Sequence, residues 1–266
     1  MNITKDLKIC LMADIHFSLN YPLKKFKTIL ENIDVNKPDY ICITGDIVDY
    51  VEVTFNSYIE NLYNFIRSLA KRSKVIISLG NHDITTFKNK YKYPYLFIEN
   101  LKHIDNVIFL DNDIYIDNKL CFIGYTESIE TYYDEYKYSD LVAKEVSNLT
   151  KNIGDNYNIL LSHNPLYVTS DDTYKKIKNH KKINLILSGH THNGMLPSFL
   201  KTNSLLITPE KKLYRRYGRG RFVKDMTNVV ITGGVIKLSR KSGILRFFNF
   251  LYSTNIDYIL IDKSNF

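Results

Sequence analysis

The stretch DYICITGD, Asp39–Asp46, runs through Tyr40, Ile41, Cys42 and Ile43 without a break and stops at a glycine and a carboxylate. A short unbroken apolar run bounded by turn residues reads as a strand covered on both faces, as in a parallel sheet. KICLMAD (Lys8–Asp14) and KVIISLGNHD (Lys74–Asp83) repeat the pattern, each ending in polar side chains. Between them, PLKKFKTILENID (Pro22–Asp34) starts with proline and sets Leu23, Phe26, Ile29, Leu30 and Ile33 at helical spacing. Asn56–Lys71 reads as an amphipathic helix through Ile59, Leu62, Tyr63, Ile66 and Leu69. Strand, helix, strand, helix, strand at this spacing predicts parallel strands joined by right-handed crossovers.

The middle of the chain changes pattern. Val107–Leu110, Ile114–Ile116 and Leu120–Tyr125 are short strand-like runs separated by turn residues, and they predict an antiparallel meander. Tyr138–Leu149 reads as helix. YNILLSHNP (Tyr157–Pro165) and INLILSGHTH (Ile183–His192) return to the apolar run with a polar end, and Asn228–Thr232 and Ile256–Asp262 read as further strands. No repeat, low-complexity linker or compositional break divides the chain. A single domain over residues 1–266 is expected, of α/β class with a second, more antiparallel sheet.

The 266 residues are 44% hydrophobic and 24% charged, an ordinary globular balance. Lys and Arg outnumber Asp and Glu by 36 to 28, a net +8 that favours anionic partners. A Lys-rich solvated surface accounts for most of this excess. One cluster stands apart, Lys211, Lys212, Arg215, Arg216, Arg219 and Arg221, interleaved with Tyr214, Tyr217 and Phe222. It reads either as an anion-binding flap or as a mobile surface loop. Cys10, Cys42 and Cys121 lie far apart in apolar runs and form no zinc spacing, so buried free thiols in a reducing compartment are expected. The N-terminus, with Asp6 and Asp14 around a very short apolar stretch, does not read as a signal peptide. No apolar run approaches the ~20 residues of a membrane span. A cytoplasmic protein is expected.

Five strand-like runs end in side chains able to bind a metal. These ends carry Asp14 and His16, then Asp46 with Asp49 three residues on, then Asn81 and His82, then His163, and last His190 and His192. In extended backbone alternate side chains face the same way, so His190 and His192 can face one point. Alone, that spacing fits two solvated loop histidines equally well. Functional groups of open α/β sheets collect at the carboxyl ends of parallel strands. An apolar core penalises carboxylates and imidazoles that lack partners. Together the five ends point to one metal site gathered from distant parts of the chain.

The runs Asp-Ile-His (Asp14–His16), Gly-Asp-Ile-Val-Asp (Gly45–Asp49), Gly-Asn-His-Asp (Gly80–Asp83), Ser-His-Asn-Pro (Ser162–Pro165) and Gly-His-Thr-His (Gly189–His192) resemble, in order and type, the calcineurin-like metallophosphoesterase superfamily. Tyr217–Gly220 and Ile231–Val235 add a looser similarity to small bacterial YkuE-like phosphodiesterases. The resemblance implies two packed mixed β-sheets, a sandwich flanked by helices, with a dinuclear metal site at the strand ends. One divalent ion would take Asp14, His16, Asp46 and His192. The other would take Asp46, Asn81, His163 and His190, with Asp46 bridging. His82 would be the general acid to the leaving oxygen, and Asp49 would pair with it and favour its protonated form. Two ions ~3.5–4 Å apart make hydroxide from water near neutral pH and offset the charge growing on phosphoryl oxygens. Mixed nitrogen and oxygen donors suit Mn, Fe or Zn without choosing among them. Gly45, Gly80 and Gly189 would bring backbone close to the ions.

Two departures bear on substrate. Protein phosphatases of the superfamily carry Arg after the second motif and Asn-His-Glu as the third; Tyr50 and Asp83 stand in those places here, which argues against that branch. YkuE-like chains continue Gly-Gly-Gln after the last histidine, where this chain has Asn193, Gly194 and Met195. The expected activity is hydrolysis of a phosphodiester or pyrophosphate-type bond in a phosphorylated small molecule. ILRFFNFLY (Ile244–Tyr252) and the basic cluster suggest a lipid-linked diphosphate at an anionic membrane surface as an alternative. Nucleic acid is a less favoured partner. An inactive binding scaffold would have lost ligands or the acid, and all are in place. Asp83 reads as a supporting partner or a helix cap, Asn164 as a substrate contact or a turn residue, and His103 and His180 as surface residues.

Overall fold

The computed structural model describes residues 5–49, 56–88, 94–133, 135–165, 170–192, 206–207, 213–214, 219–235 and 254–266. Its first half alternates strand and helix: β1 (Leu7–Met12), α1 (Lys24–Asn36), β2 (Tyr40–Thr44), α2 (Glu60–Ala70), β3 (Lys74–Ser78), α3 (Asn81–Lys88), α4 (Pro94–Lys102) and β4 (Val107–Phe109). There follow β5 (Asp113–Asp117), β6 (Leu120–Tyr125), α5 (Ile129–Tyr133), α6 (Glu135–Leu149), β7 (Tyr157–Ser162), α7 (Asp171–Lys176) and β8 (Ile183–Ser188). The rest comprises the two-residue strands β9 (Leu206–Ile207) and β10 (Leu213–Tyr214), then β11 (Gly220–Lys224), β12 (Thr227–Ile231) and β13 (Asp257–Ile261).

The first large sheet has the order β13-β1-β2-β3-β4, with β1 to β4 parallel and β13 antiparallel at its edge. The second has the order β11-β12-β8-β7-β6-β5, parallel through its four central strands and antiparallel at both edges. Both sheets are mixed. The antiparallel meander expected after residue 107 is not formed. Instead β4 pairs parallel with β3, and Val107 joins Leu101 and Ile104 in the core under the first sheet. Of these three runs, β5 and β6 alone pair as an antiparallel hairpin, and β6 then runs parallel to β7 from Leu120 opposite Tyr157 to Tyr125 opposite Ser162. Short apolar runs between turns do not reveal which neighbour each will pair with.

The central strands are buried on both faces, which is why they read as unbroken apolar runs. In β1, Ile9 and Leu11 face the second sheet, where they meet Cys42 and Ile76 of their own sheet and Phe122, Ile159, Leu161, Leu185 and Leu187 across the interior. Their neighbours Cys10 and Met12 face the other way, with Ile41, Ile43 and Val75, under Phe26, Ile29 and Ile33 of α1 and Leu62, Phe65 and Ile66 of α2. On the far side, Cys121, Ile123, Leu160 and Ile186 lie under Val142 and Val146 of α6 and Tyr174 of α7. Helix, sheet, sheet and helix therefore stack as four layers. Each fully buried Leu, Ile or Phe contributes about 1.5–3 kcal/mol.

Helix ends follow local chemistry. α1 passes Asp34 and stops at Lys37, because Pro38 denies Lys37 the helical region; Lys37 turns left-handed (φ 46°) and its N–H donates to the Ile33 carbonyl. The helix expected from Asn56 begins as a 3-10 turn at Ser57–Ile59, with the Asn56 side chain accepting the Tyr58 N–H at 2.9 Å, and becomes α2 at Glu60. No helix among the described residues is long and apolar enough to cross a membrane.

The sandwich interior makes a direct prediction. Phe122 is fully buried there, with its ring 5.0 Å from Tyr40 and 6.5 Å from Tyr115. Phe122→Ala should cost about 3–5 kcal/mol in urea unfolding. A loss well under 1 kcal/mol, on the order of a surface substitution, would mean that the two sheets do not pack through this residue.

Candidate metal centre

Parallel pairing brings the C-terminal ends of β1, β2, β3, β7 and β8 to one edge, and the polar residues after them meet there. Backbone hydrogen bonds fasten the loops together. Asp14 N–H donates to Gly45 O (3.1 Å), His16 N–H to Asp46 O (2.9 Å) and Phe17 N–H to Ile47 O (2.8 Å). Across the sandwich, Val235 N–H donates to Ala13 O (2.9 Å), and the Asp14 carboxylate accepts the His190 N–H at 3.0 and 3.2 Å.

Asp14, His16, Asp46, His190 and His192 have φ of 53°, 46°, 51°, 68° and 44°. A residue other than glycine held in this left-handed region costs on the order of 1–3 kcal/mol. Five such residues in one cluster mark a place where the surrounding structure imposes side-chain direction against local preference.

The side chains converge in groups. Asp14, His16 and His192 form one, Asp46, His163 and His190 another, and His16, Asp46 and His82 a third, with ligand atoms within 4.8 Å of one another in each. Asp46 Oδ2 lies 3.2 Å from His163 Nε2 and 3.5 Å from His16 Nε2. His192 Nε2 stands 3.6 Å from Asp14 Oδ1 and 3.3 Å from His16 Nε2. Asn81 opens α3, one residue before the His82 N–H that donates to Asp46 Oδ1 at 2.8 Å.

His163 tests whether a cation fits. Its Nδ1–H donates to the Thr44 carbonyl at 2.6 Å, so in the neutral ring the Nε2 lone pair faces the Asp46 carboxylate. Two buried lone pairs 3.2 Å apart need positive charge between them. In the bare protein a proton supplies it: burial opposes the charge on His163, but Asp46 and Asp14 push its pKa up to about 10. Burial likewise opposes ionisation of Asp46, and His163, His82 and His16 overcome it, holding its pKa well below the usual range. His192 is pushed down to about 4, chiefly by burial, which leaves a neutral ring able to bind a metal. The donor set fits divalent ions of the Mn, Fe or Zn kind.

Asp49 sits between two imidazoles, its Oδ1 3.3 Å from His82 Nδ1 and 3.5 Å from His16 Nδ1. It therefore orients a proposed ligand as well as His82. Burial lowers the His82 pKa, but Asp46 and Asp49 outweigh it and bring it up to about 9. The His82 side chain is 38% exposed, against 9% for His16 and none for His163, so it is the imidazole of the three that reaches solvent. Asp83 is buried and accepts three backbone N–H groups, Ile47 (2.9 Å), Val48 (3.1 Å) and Gly80 (2.9 Å). It ties the loop after Asp46 to the start of α3.

Glu127 went unseen in the sequence. It follows β6, is 2% exposed and sits beside Asn164, whose amide Nδ2 is 3.5 Å from Glu127 Oε2. Asn164 is thus buried against a carboxyl group. The run LCFIGYTE, Leu120–Glu127, carries the same apolar stretch and polar end as the other five. The parallel β6–β7 pairing brings that end to this edge. His103 is exposed and bonded to Glu99 O, and His180 to Ile177 O; neither joins the cluster. Of the basic cluster, Arg221 lies on β11 and donates to Tyr258 O, joining edge strands, and Phe222 packs on the outer core. Lys211, Lys212 and 215–218, together with Tyr50, 193–195 and 244–252, lie outside the described residues.

Close approach at Gly80 gives a second prediction. A Cβ there would lie 2.3 Å from Asp46 Oδ1 and 2.5 Å from Asp46 N. Gly80→Ala should weaken Mn2+ binding by about 10–100-fold in calorimetric titration. Wild-type affinity would show that Asp46 is not held by this contact.

Comparison with known proteins agrees with the geometry. The chain is 29% identical over 239 residues to a Caenorhabditis elegans protein whose name assigns it to the metallophosphoesterases, covering 86% of this chain and 44% of that protein. It is 26% identical over 204 residues to an uncharacterised metallophosphoesterase of Campylobacter jejuni, covering 75% of this chain and 47% of the relative. The chain thus spans less than half the length of both relatives. A dimetal phosphatase from Danio rerio shares the fold with a TM-score of 0.51 at 12% identity, covering 87% of this chain and 88% of that one. The profile described as calcineurin-like phosphoesterase matches residues 7–194, and the chain belongs to that family.

Proposed function

We propose that this chain hydrolyses a phosphodiester or pyrophosphate-type bond in a phosphorylated small molecule, using two divalent ions. Asp14, His16, Asp46 and His192 would hold one, and Asp46, Asn81, His163 and His190 the other. The observation that carries this reading is the place of Asp46, whose one oxygen is near both His163 and His16 and so touches both ligand groups. When bound, the ions would supply a water acidic enough to act as hydroxide and positive charge for the phosphoryl oxygens.

The chain's own residues supply the rest. Asp46 is shared between the ligand groups, and its second oxygen holds the N-terminus of α3 through the His82 N–H. The His82 side chain, half-buried next to Asp49, is placed to give a proton to the leaving oxygen. Asp49 keeps that imidazole oriented and charged. The three cysteines are buried free thiols, which suits the reducing, cytoplasmic setting expected from the sequence. The membrane and nucleic-acid readings rest on segments largely outside the described residues, and nothing in the described site favours them.

A hydrolysis screen across monoester, diester, dinucleotide and lipid-diphosphate substrates, with Mn, Zn and Fe supplied separately, tests the reaction class. Turnover of none of these would overturn it. Asp46→Asn should remove most bound metal and activity together; a variant with full metal content and turnover would exclude the shared role.

His82→Ala should leave metal content unchanged and lower turnover by about 10²–10⁴-fold on an alkyl diester, whose alkoxide needs a proton to leave. The loss should shrink on a nitrophenyl ester. Equal losses on both substrates would mean that His82 positions substrate and is not the acid.

A further inference from the structure

Glu127 lies outside the proposed ligand set, yet it is buried where the two halves of the second ligand group are braced. α5 carries Tyr132, whose ring meets His190 edge-on at 5.4 Å, and Thr131, whose Oγ1 is 3.2 Å from Glu127 Oε2. On the other side the same Oε2 meets the amide of Asn164, the residue after His163. Glu127 thus links the helix packed on His190 to the loop that carries His163.

The hydrogens at this junction can be counted. Thr131 Oγ1 has one, and its 2.6 Å contact with the Ser128 carbonyl uses it. The contact between Thr131 Oγ1 and Glu127 Oε2 then needs its hydrogen from Glu127. The Asn164 amide donates to a lone pair of that same Oε2. Among the described residues Glu127 Oε1 is buried with no hydrogen-bond partner, which a neutral carbonyl oxygen tolerates far better than half of a carboxylate charge. Burial, with a smaller push from Glu145, raises the Glu127 pKa to about 8 against the pull of His163 and Asn164.

We propose that Glu127 is a positioning residue for the ion assigned to Asp46, Asn81, His163 and His190, acting as a hydrogen-bond donor that locks α5 to the His163 loop. This rests on the two-ion reading above. It also makes a demand that a simple structural role would not: a neutral amide should replace the acid, and loss of the donor should affect one ion and not the other.

The test is stepwise Mn2+ titration by calorimetry on the full chain, as wild type, Glu127→Gln, Glu127→Ala and Thr131→Val. Wild type should bind two ions. Glu127→Gln should match it, since its amide donates to Thr131. Glu127→Ala and Thr131→Val should weaken one equivalent by about 10–100-fold and spare the other. Infrared spectra should show a protonated carboxyl band in wild type that Glu127→Gln lacks. Thr131→Val carries the test alone if Glu127→Ala does not fold. Two ions bound equally well by every variant, Glu127→Gln as weak as Glu127→Ala, or no protonated carboxyl band would each overturn the positioning role. Fewer than two ions on wild type would overturn the two-ion reading itself, and this inference with it.

Discussion

The Asp14 carboxylate accepts the backbone N–H of His190, and this contact, with those of Val235 N–H to Ala13 O and His163 Nδ1–H to Thr44 O, joins the polar ends of two sheets whose interior is packed with apolar side chains. Backbone crowds Asp14 on two sides. A Cβ at Gly189 would lie 2.3 Å from Ala13 Cβ and 2.8 Å from Asp14 Oδ2, and one at Gly234 would lie 2.7 Å from Asp14 Cβ. Two glycines therefore let strands β8 and β12 close on β1. With that edge closed, His190 and His192 from one sheet can face Asp14, His16 and Asp46 from the other.

Asp83 does for the first sheet what Asp14 does between the sheets. Its carboxylate gathers N–H groups from both sides of the β2–β3 edge, and so fixes Asp46 relative to Asn81 and His82. Charge-assisted bonds to backbone are among the stronger ones. Burial and the nearby Asp46 charge raise the Asp83 pKa to about 6 even so. The edge is thus built from buried carboxyl groups whose partners are mostly main-chain N–H groups and imidazoles.

Much of this was legible in the sequence because parallel strands buried on both faces leave a simple trace: an apolar run, then a polar end. Asp14, Asp46, His163 and His190 were readable for that reason. Strand partners were not. Nothing in Val107–Phe109 distinguishes an edge strand of the first sheet from a member of a meander, and nothing in Leu120–Tyr125 shows that it pairs with Tyr157–Ser162 and so brings Glu127 to the edge. The dual contact of Asp49 with His16 and His82 was also invisible, because the side chains meet only once both loops are folded. The left-handed backbone at five of the site positions leaves no sign in the sequence, since none of them is glycine.

That last feature bears on which side chains these positions can accept. Asp, Asn and His are enriched several-fold among non-glycine residues with positive φ, while β-branched and bulky residues there are outliers. The five turns at Asp14, His16, Asp46, His190 and His192 thus filter their occupants before any ion does. Only a side chain that tolerates the turn and can also donate a lone pair passes both filters, which leaves a short alphabet of carboxylate, amide and imidazole. Redesigning this edge for a softer ion would mean rebuilding the turns along with the ligands.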